Sequence, residues 1–174
     1  MSAGNTFTAL NIAVLTVSDT RTADNDTSGD LLQNKLQEAG HHCSERALVK
    51  DDVYAMRREV SRWIADDTTH VVLITGGTGF SGRDSTPEAI LPLLDKEIIG
   101  FGELFRQVSY EQVGSSTIQS RCLGGLANNT LVFCLPGSNN ACATGWDVIL
   151  KEQLDATHKP CNFVALLTKG NASA

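Results

Sequence analysis

The run Val71-Val72-Leu73-Ile74-Thr75-Gly76-Gly77-Thr78-Gly79-Phe80-Ser81-Gly82-Arg83-Asp84-Ser85-Thr86-Pro87-Glu88-Ala89-Ile90 passes from a continuous apolar segment, through four glycines, to a proline-marked helix start. Residues 71–74 show no polar alternation, the pattern of a strand covered on both faces. Gly76, Gly77, Gly79 and Gly82 lack β-carbons, so backbone N–H groups there can approach a ligand closely. Thr86 suits the N-cap, Pro87 the first helical position and Glu88 the positive end of the helix. N–H groups gathered at such a junction make an anion site. A turn with only a structural task would not need Arg83 and Asp84 inside it.

Outward from this stretch the same alternation repeats. Residues 12–18 form a second apolar strand, ending in the polar loop 19–29. A helix follows over about 30–39, with Leu32 and Leu36 on one face and Gly40 as its stop. Residues 42–49 read as a strand. Asp51 to Ala65 is the clearest helix, because Val53, Met56, Val60, Trp63 and Ile64 recur at spacings of three and four. The helix begun at Pro87 continues through Ala89, Ile90, Leu93 and Leu94. A second helical stretch covers 103–113, and 115–125 has no defined form. Residues 131–135 are a strand cut by Pro136-Gly137-Ser138-Asn139. A last helix runs over about 141–154, and 163–167 is read as an edge strand. Strand–helix alternation implies an α/β, three-layer αβα fold with a mostly parallel central sheet and right-handed crossovers. The chain is expected to be a single domain over 1–174, with loose tails at about 1–9 and 168–174. Ligands of such sheets bind beyond the carboxyl ends of the strands. Three loops with chemistry sit there: 19–29, 76–85 and 136–140.

Composition narrows the function. A net charge of −6 argues against a nucleic-acid binder held by phosphate contacts. No apolar run approaches the roughly 20 residues that span a bilayer, and the first residues have no signal-peptide pattern, so no membrane partner and a cytoplasmic location are expected. Five cysteines, an odd number without a CxxC, read as reduced thiols. The three Asn-x-Ser/Thr triplets then read as chance matches. The four histidines have neither metal-ligand nor triad spacing, and no structural zinc is expected.

Gly77 to Gly82 is letter for letter G-x-G-x-x-G. The dinucleotide reading weakens on three grounds: the motif follows the third strand, the helix starts after Gly82, and no strand ending in an acidic residue follows about 20 residues later. The ATPase phosphate loop fails as well, since Arg83-Asp84 stands where Lys-Ser/Thr belongs. A plain capped turn explains the glycines but not Arg83 with Asp84. Pro136-Gly137-Ser138 is both a strand-to-helix turn and a second set of backbone donors. Asp51 or Asp52 would cap its helix. Asp26-Thr27-Ser28-Gly29 reads as a cap and turn, and Arg106 and Arg121 as phosphate contacts or as solvated arginines.

Thr75-Gly76-Gly77-Thr78-Gly79 followed by Arg83-Asp84-Ser85-Thr86-Pro87-Glu88-Ala89 resembles the signature of the molybdenum cofactor biosynthesis MoaB/MogA family, which includes the G domain of gephyrin. Thr16-Val17-Ser18-Asp19, Asp26-Thr27-Ser28-Gly29, Val49-Lys50-Asp51-Asp52, Ser120-Arg121 and Leu135-Pro136-Gly137-Ser138 fall in the family's order, over roughly residues 10–165. The resemblance implies a protein that binds molybdopterin and adenylylates it with Mg²⁺ and ATP, giving adenylyl-molybdopterin and pyrophosphate. It implies nucleotide binding by Gly76, Gly77, Thr78, Gly79, Pro136, Gly137 and Ser138. Asp51 and Asp84 correspond to the family's catalytic acids and would hold the metal. Asp26, Ser28, Gly29, Ser120 and Arg121 match its molybdopterin side. It also implies a homo-oligomer, trimer or hexamer. One departure is that the second loop, commonly Pro-Gly-Asn-Pro, reads Pro136-Gly137-Ser138-Asn139 here. The alternative it leaves open is a molybdopterin-binding or structural protein of the same pathway without catalysis.

Overall fold

The computed structural model describes residues 6–167. Of the expected tails, only residues 6–9 fall in this range, and they form neither helix nor strand. The strands are β1 (Asn11–Val17), β2 (His42–Val49), β3 (Val71–Thr75), β4 (Lys96–Glu97), β5 (Leu123–Ala127) and β6 (Thr130–Leu135). They form one sheet in the order β2-β1-β3-β6-β5-β4. The first four in that order run parallel, while β5 and β4 add antiparallel pairings at one edge.

The helices are α1 (Thr27–Glu38), α2 (Val53–Ala65), α3 (Thr86–Ile90), α4 (Ile99–Val113), α5 (Asn139–Gly145) and α6 (Lys151–Gln153). The last two join through a π-helical turn, Trp146–Leu150. Successive strand residues face opposite ways, and the sheet is apolar on both sides. Val14, Leu73 and Phe133 pack against Leu32 and Leu36 of α1, Phe101 and Phe105 of α4, and Trp146. Leu15, Val72, Ile74 and Val132 pack against Met56, Val60 and Trp63 of α2 and Ala89 and Ile90 of α3. The three-layer αβα arrangement follows from this double burial.

Register positions the site. Thr16 lies opposite Thr75, and Thr75 opposite Leu135. The three central parallel strands therefore end level, and their following loops start side by side.

Several boundaries differ from expectation. The helix from Pro87 stops at Ile90, and Leu91–Leu93 form a 3-10 turn. Pro92 has no N–H to donate to the Glu88 carbonyl. Arg57 of α2 supplies the missing bonds, from Nη2 to Glu88 O at 3.0 Å and from Nε to Ala89 O at 3.1 Å. The expected edge strand over 163–167 is instead a 3-10 turn, Val164–Leu166, with Val164 and Leu167 in the core. The undefined stretch 115–125 resolves into a 3-10 segment, Gly114–Gln119, and β5. A β-carbon at Gly124 would stand 2.7 Å from Phe133 Cδ1, so this strand's glycines make room for neighbouring side chains. All five cysteines are free thiols. Burial pushes the Cys142 thiol up to about 11.

Phe133 is fully buried, with its ring centroid 4.8 Å from that of Phe101. Phe133→Ala is expected to cost about 3–5 kcal/mol of unfolding free energy. Urea denaturation should show a lower midpoint with an unchanged slope.

Candidate functional site

At the C-terminal ends of β1, β3 and β6 lies a cleft of about 480 Å³. Ser28, the run 76–79, Asp84, Ser120 and the run 136–138 line it. Asp26, Gly29, Asp51 and Arg121 do not; they stand behind its walls.

The wall after β3 is built by tying carbonyls away from the cleft. Thr86 donates from Oγ1 to Gly76 O at 2.8 Å and from N to Gly77 O at 2.9 Å. Arg121 donates from N to Thr78 O at 2.9 Å and from Nε to Gly79 O at 2.8 Å. In a planar trans peptide the N–H points opposite to the C=O. The N–H groups of Gly77, Thr78, Gly79 and Phe80 are thereby turned away from these anchors. Among the described residues none of the four has a protein acceptor. Gly76 is held at φ +104°, where a β-carbon would stand 2.1 Å from Val17 O. No other residue type fits that contact.

The loop after β6 repeats the device. Thr75 Oγ1 donates to Pro136 O at 3.1 Å, and Arg21 Nη2 to Gly137 O at 3.2 Å. The N–H groups of Gly137 and Ser138 are correspondingly open, with no protein acceptor among the described residues. The two loops touch, since a β-carbon on Gly137 would lie 3.2 Å from Gly76 Cα. Ser138 caps α5, its hydroxyl accepting from Ala141 N at 3.2 Å.

Two carboxylates flank the glycine loop. A β-carbon on Gly79 would lie 2.7 Å from Asp84 Oδ2, and one on Gly77 would lie 2.7 Å from Asp51 Oδ2. Asp84 Oδ2 accepts from Ser81 N at 2.9 Å. Asp52, not Asp51, caps α2, accepting from Ala55 N at 2.7 Å. Asp51 turns toward the loop, where its Oδ1 accepts from the N–H and hydroxyl of Ser85. Burial raises the Asp51 carboxyl above its usual range, and the nearby charges of Asp84 and Asp19 add to this against the two Ser85 bonds. Asp19 itself is paired by Arg83, with contacts of 2.8–3.0 Å to its two oxygens.

Most of the remaining predicted residues bond to the fold itself. Arg121 holds the glycine-loop carbonyls, donates from Nη2 to Asp84 O at 2.8 Å and pairs with Glu88. Thr86 is the first helical residue rather than the cap, and its hydroxyl is spent on Gly76. Asp26 caps α1 and is only 2 % exposed. Burial alone would raise its carboxyl, but bonds from Thr16 (2.6 Å), Gly29 N (3.0 Å) and Arg46 (2.8 Å) hold it below the usual range. Gly29 leaves room for that network, since a β-carbon there would stand 2.1 Å from Asp26 Oδ2. Ser120 lines the cleft, and its buried Oγ has no hydrogen-bond partner. Arg21 and Gln119 line the cleft too and were not marked in the sequence. The only signal for Arg21 was a charged residue in the loop after β1.

Among the described residues no group of three or more His, Cys, Asp or Glu side chains is placed to hold a metal ion. No helix among them is long and apolar enough to cross a membrane. The arrangement can bind a polyanion through open N–H groups from two touching loops, with two carboxylates at its edge.

Residues 13–156 match the protein-family profile described as "Probable molybdopterin binding domain". Molybdenum cofactor biosynthesis protein B of Escherichia coli (strain K12) is 53% identical over 163 residues, spanning 94% of this chain and 96% of its own. The like-named protein of Bacillus subtilis (strain 168) is 50% identical over 129 residues, 74% of this chain and 76% of its own. A crystal structure of a molybdenum cofactor biosynthesis protein B matches with a TM-score of 0.82 at 42% identity, covering 84% of this chain and 92% of that one. The tungsten cofactor synthesizing protein MoaB from Pyrococcus furiosus matches with a TM-score of 0.74 at 38% identity, covering 83% and 92%.

Asp26→Asn should cost about 1.5–3 kcal/mol at neutral pH, because it removes the buried charge that accepts from Thr16, Gly29 N and Arg46. The folded-state pKa of Asp26 is depressed, so its contribution is fully present above the unfolded value of about 3.9 and lost as pH falls through the folded value. Urea titrations between about pH 5 and pH 2 should show a shallower acid loss in the variant than in the parent. Ser120→Ala, which removes an unpartnered hydroxyl, should leave stability within about 0.5 kcal/mol of the parent in the same assay.

Proposed function

The chain belongs to the molybdopterin-binding MoaB/MogA family, and from that premise we propose that it binds molybdopterin and adenylylates it with Mg²⁺ and ATP, releasing pyrophosphate. The coarser statement is that it takes part in molybdenum cofactor biosynthesis. The observation that carries the finer reading is the set of anchored peptides at 76–80, whose carbonyls are all held from behind.

In adenylyl transfer a phosphate oxygen of molybdopterin attacks the α-phosphorus of ATP. One P–O bond forms, the bond to the β-phosphate's bridging oxygen breaks, and pyrophosphate leaves with that electron pair. Two polyanions must be brought together, and negative charge grows on the oxygens of the transferred group. N–H groups that are already oriented stabilise that charge without reorganising at the moment of reaction. The loops at 76–80 and 136–138 supply such donors from two sides of one cleft.

The residues present fit a magnesium ion that arrives with the nucleotide. Mg²⁺ commonly takes one or two carboxylates plus substrate phosphates rather than a full protein cage. Asp84 and Asp51 are hard oxygen donors at the edge of the glycine loop, and burial, with a smaller part from the neighbouring Asp84 and Asp19 charges, raises the Asp51 carboxyl, a cost that a cation would offset. Bound there, the ion would neutralise phosphate charge. Asp84 and Asp51 would hold it, and Ser85 would orient Asp51.

Exposed Ile99, Leu104, Tyr110 and Val113 on α4, with Ile118 beyond it, support the further reading that the chain forms a homo-oligomer.

Incubation with molybdopterin and Mg-ATP should yield adenylyl-molybdopterin and pyrophosphate in equal amounts. Asp84→Asn should keep the thermal unfolding midpoint and lower kcat by about 10²–10³-fold. Molybdopterin binding that is indifferent to ATP, with no adenylylated product from the folded parent, would refute the transferase and leave a carrier.

A further inference from the structure

Among the described residues that line the cleft, one side chain is basic, Arg21. It lies in the loop after β1 and reaches two other elements. Its Nη1 donates to Ser28 Oγ at 2.6 Å, in the first turn of α1. Its Nη2 donates to the carbonyl of Gly137 at 3.2 Å. That carbonyl belongs to the peptide whose N–H, on Ser138, is open.

The charge of Arg21 is poorly compensated within the protein. The nearest carboxylate, Asp26, stands at 3.5 Å from Nη1. Both Asp26 oxygens are already bonded, Oδ2 by Thr16 and Arg46 and Oδ1 by Gly29 N. Arg46 is the closer cation at 2.8 Å. A guanidinium has five N–H donors in a fixed fork. Arg21 uses both on Nη1 and one on Nη2, which leaves Nε–H and one Nη2–H without a protein acceptor among the described residues. The side chain is 26% exposed, on the cleft side. A half-buried arginine with spare donors, in a cleft whose lining, among the described residues, holds one carboxylate and no other cation, suits bidentate recognition of phosphate.

We infer that Arg21 receives a phosphate of the cleft's ligand and positions it against the open N–H groups of the second loop. The inference rests on the reading that the ligands carry phosphate. It assigns the anion-holding cation to a residue other than Arg121, which does not line the cleft and whose charge is paired with Glu88. The phosphate is either one of the nucleotide's or the monoester of the pterin ligand, and the chemistry of recognition is the same.

The test is calorimetric titration of the full chain with pyrophosphate, Mg-ATP and adenosine, in the parent, Arg21→Gln and Arg21→Lys. Arg21→Gln should weaken pyrophosphate or Mg-ATP by about 10- to 100-fold while adenosine is unchanged, as expected for loss of a charge-assisted pair. Arg21→Lys should regain part of that loss, because it keeps the charge and loses the fork. In turnover assays of Arg21→Gln, a raised KM confined to ATP assigns the phosphate to the nucleotide, and one confined to molybdopterin assigns it to the monoester. An unchanged affinity for pyrophosphate and Mg-ATP, with an unchanged KM for molybdopterin, overturns the inference. So does an equal loss for adenosine that lysine does not rescue, since Arg21 would then only tie Ser28 to Gly137. Should Arg21→Gln not fold, the ratio of pyrophosphate to adenosine affinity in Arg21→Lys against the parent decides in the same way. A parent that binds pyrophosphate through Arg21 but makes no adenylylated product sinks the transferase reading alone. Arg21→Gln turning over at parental kcat and KM sinks this inference alone.

Discussion

Four consecutive carbonyls, from Gly76 to Gly79, are held on the side away from the cleft by only two residues, Thr86 and Arg121. Everything useful in the glycine loop depends on that restraint. Glycine-rich backbone left free would sample many orientations and would lose entropy on meeting a ligand. Anchored from behind, its N–H groups meet the ligand already aimed. The anchors come from two elements distant in sequence, Thr86 from the start of α3 and Arg121 from the lead into β5. The loop is therefore set by the folded sheet rather than by its own sequence.

This explains the division of labour around the cleft. Several charged residues around the glycines are bonded to the fold itself. Arg121 clamps, Asp26 organises the start of α1 with Arg46, and Arg83 neutralises Asp19. Besides Val17, Gln119 and Pro136, the cavity is faced by glycine backbone, hydroxyls, Asp84 and Arg21. An acidic chain can thus present a surface suited to anions, because its donors are peptide dipoles that do not enter the net charge.

Much of the fold was legible because a sheet buried on both faces writes continuous apolar runs, as at 71–74 and 131–135. β5 escaped because Leu123-Gly124-Gly125-Leu126 is chosen for clearance under Phe133 and Leu94 and not for strand propensity. The site was legible as three loops on strand ends, and the structure brings all three to one cleft. The direction of individual side chains was not legible. The sequence offers Arg106 and Arg121 as phosphate contacts and passes over Arg21, because residue type does not separate them; only tertiary contacts put Arg21 in the cleft wall and turn Arg121 to the glycine loop and Glu88. The same holds for Asp51 and Asp52, adjacent and chemically identical, of which one caps and the other turns inward.

Pro92 removes a bond from the end of α3, and Arg57 of α2 replaces it with two. The repair crosses between helices where an ordinary one would stay within a single helix. It fastens α2 to α3 on the face of the sheet beneath the glycine loop. Asp51 precedes α2 and grips Ser85, while Thr86 opens α3 and grips the loop. The two helices and the loop thus form a closed mechanical circuit with no slack segment in it. A carboxylate shifted at one point of that circuit must displace the anchored peptides at another, so charge at the edge of the cleft and geometry at its wall are one variable.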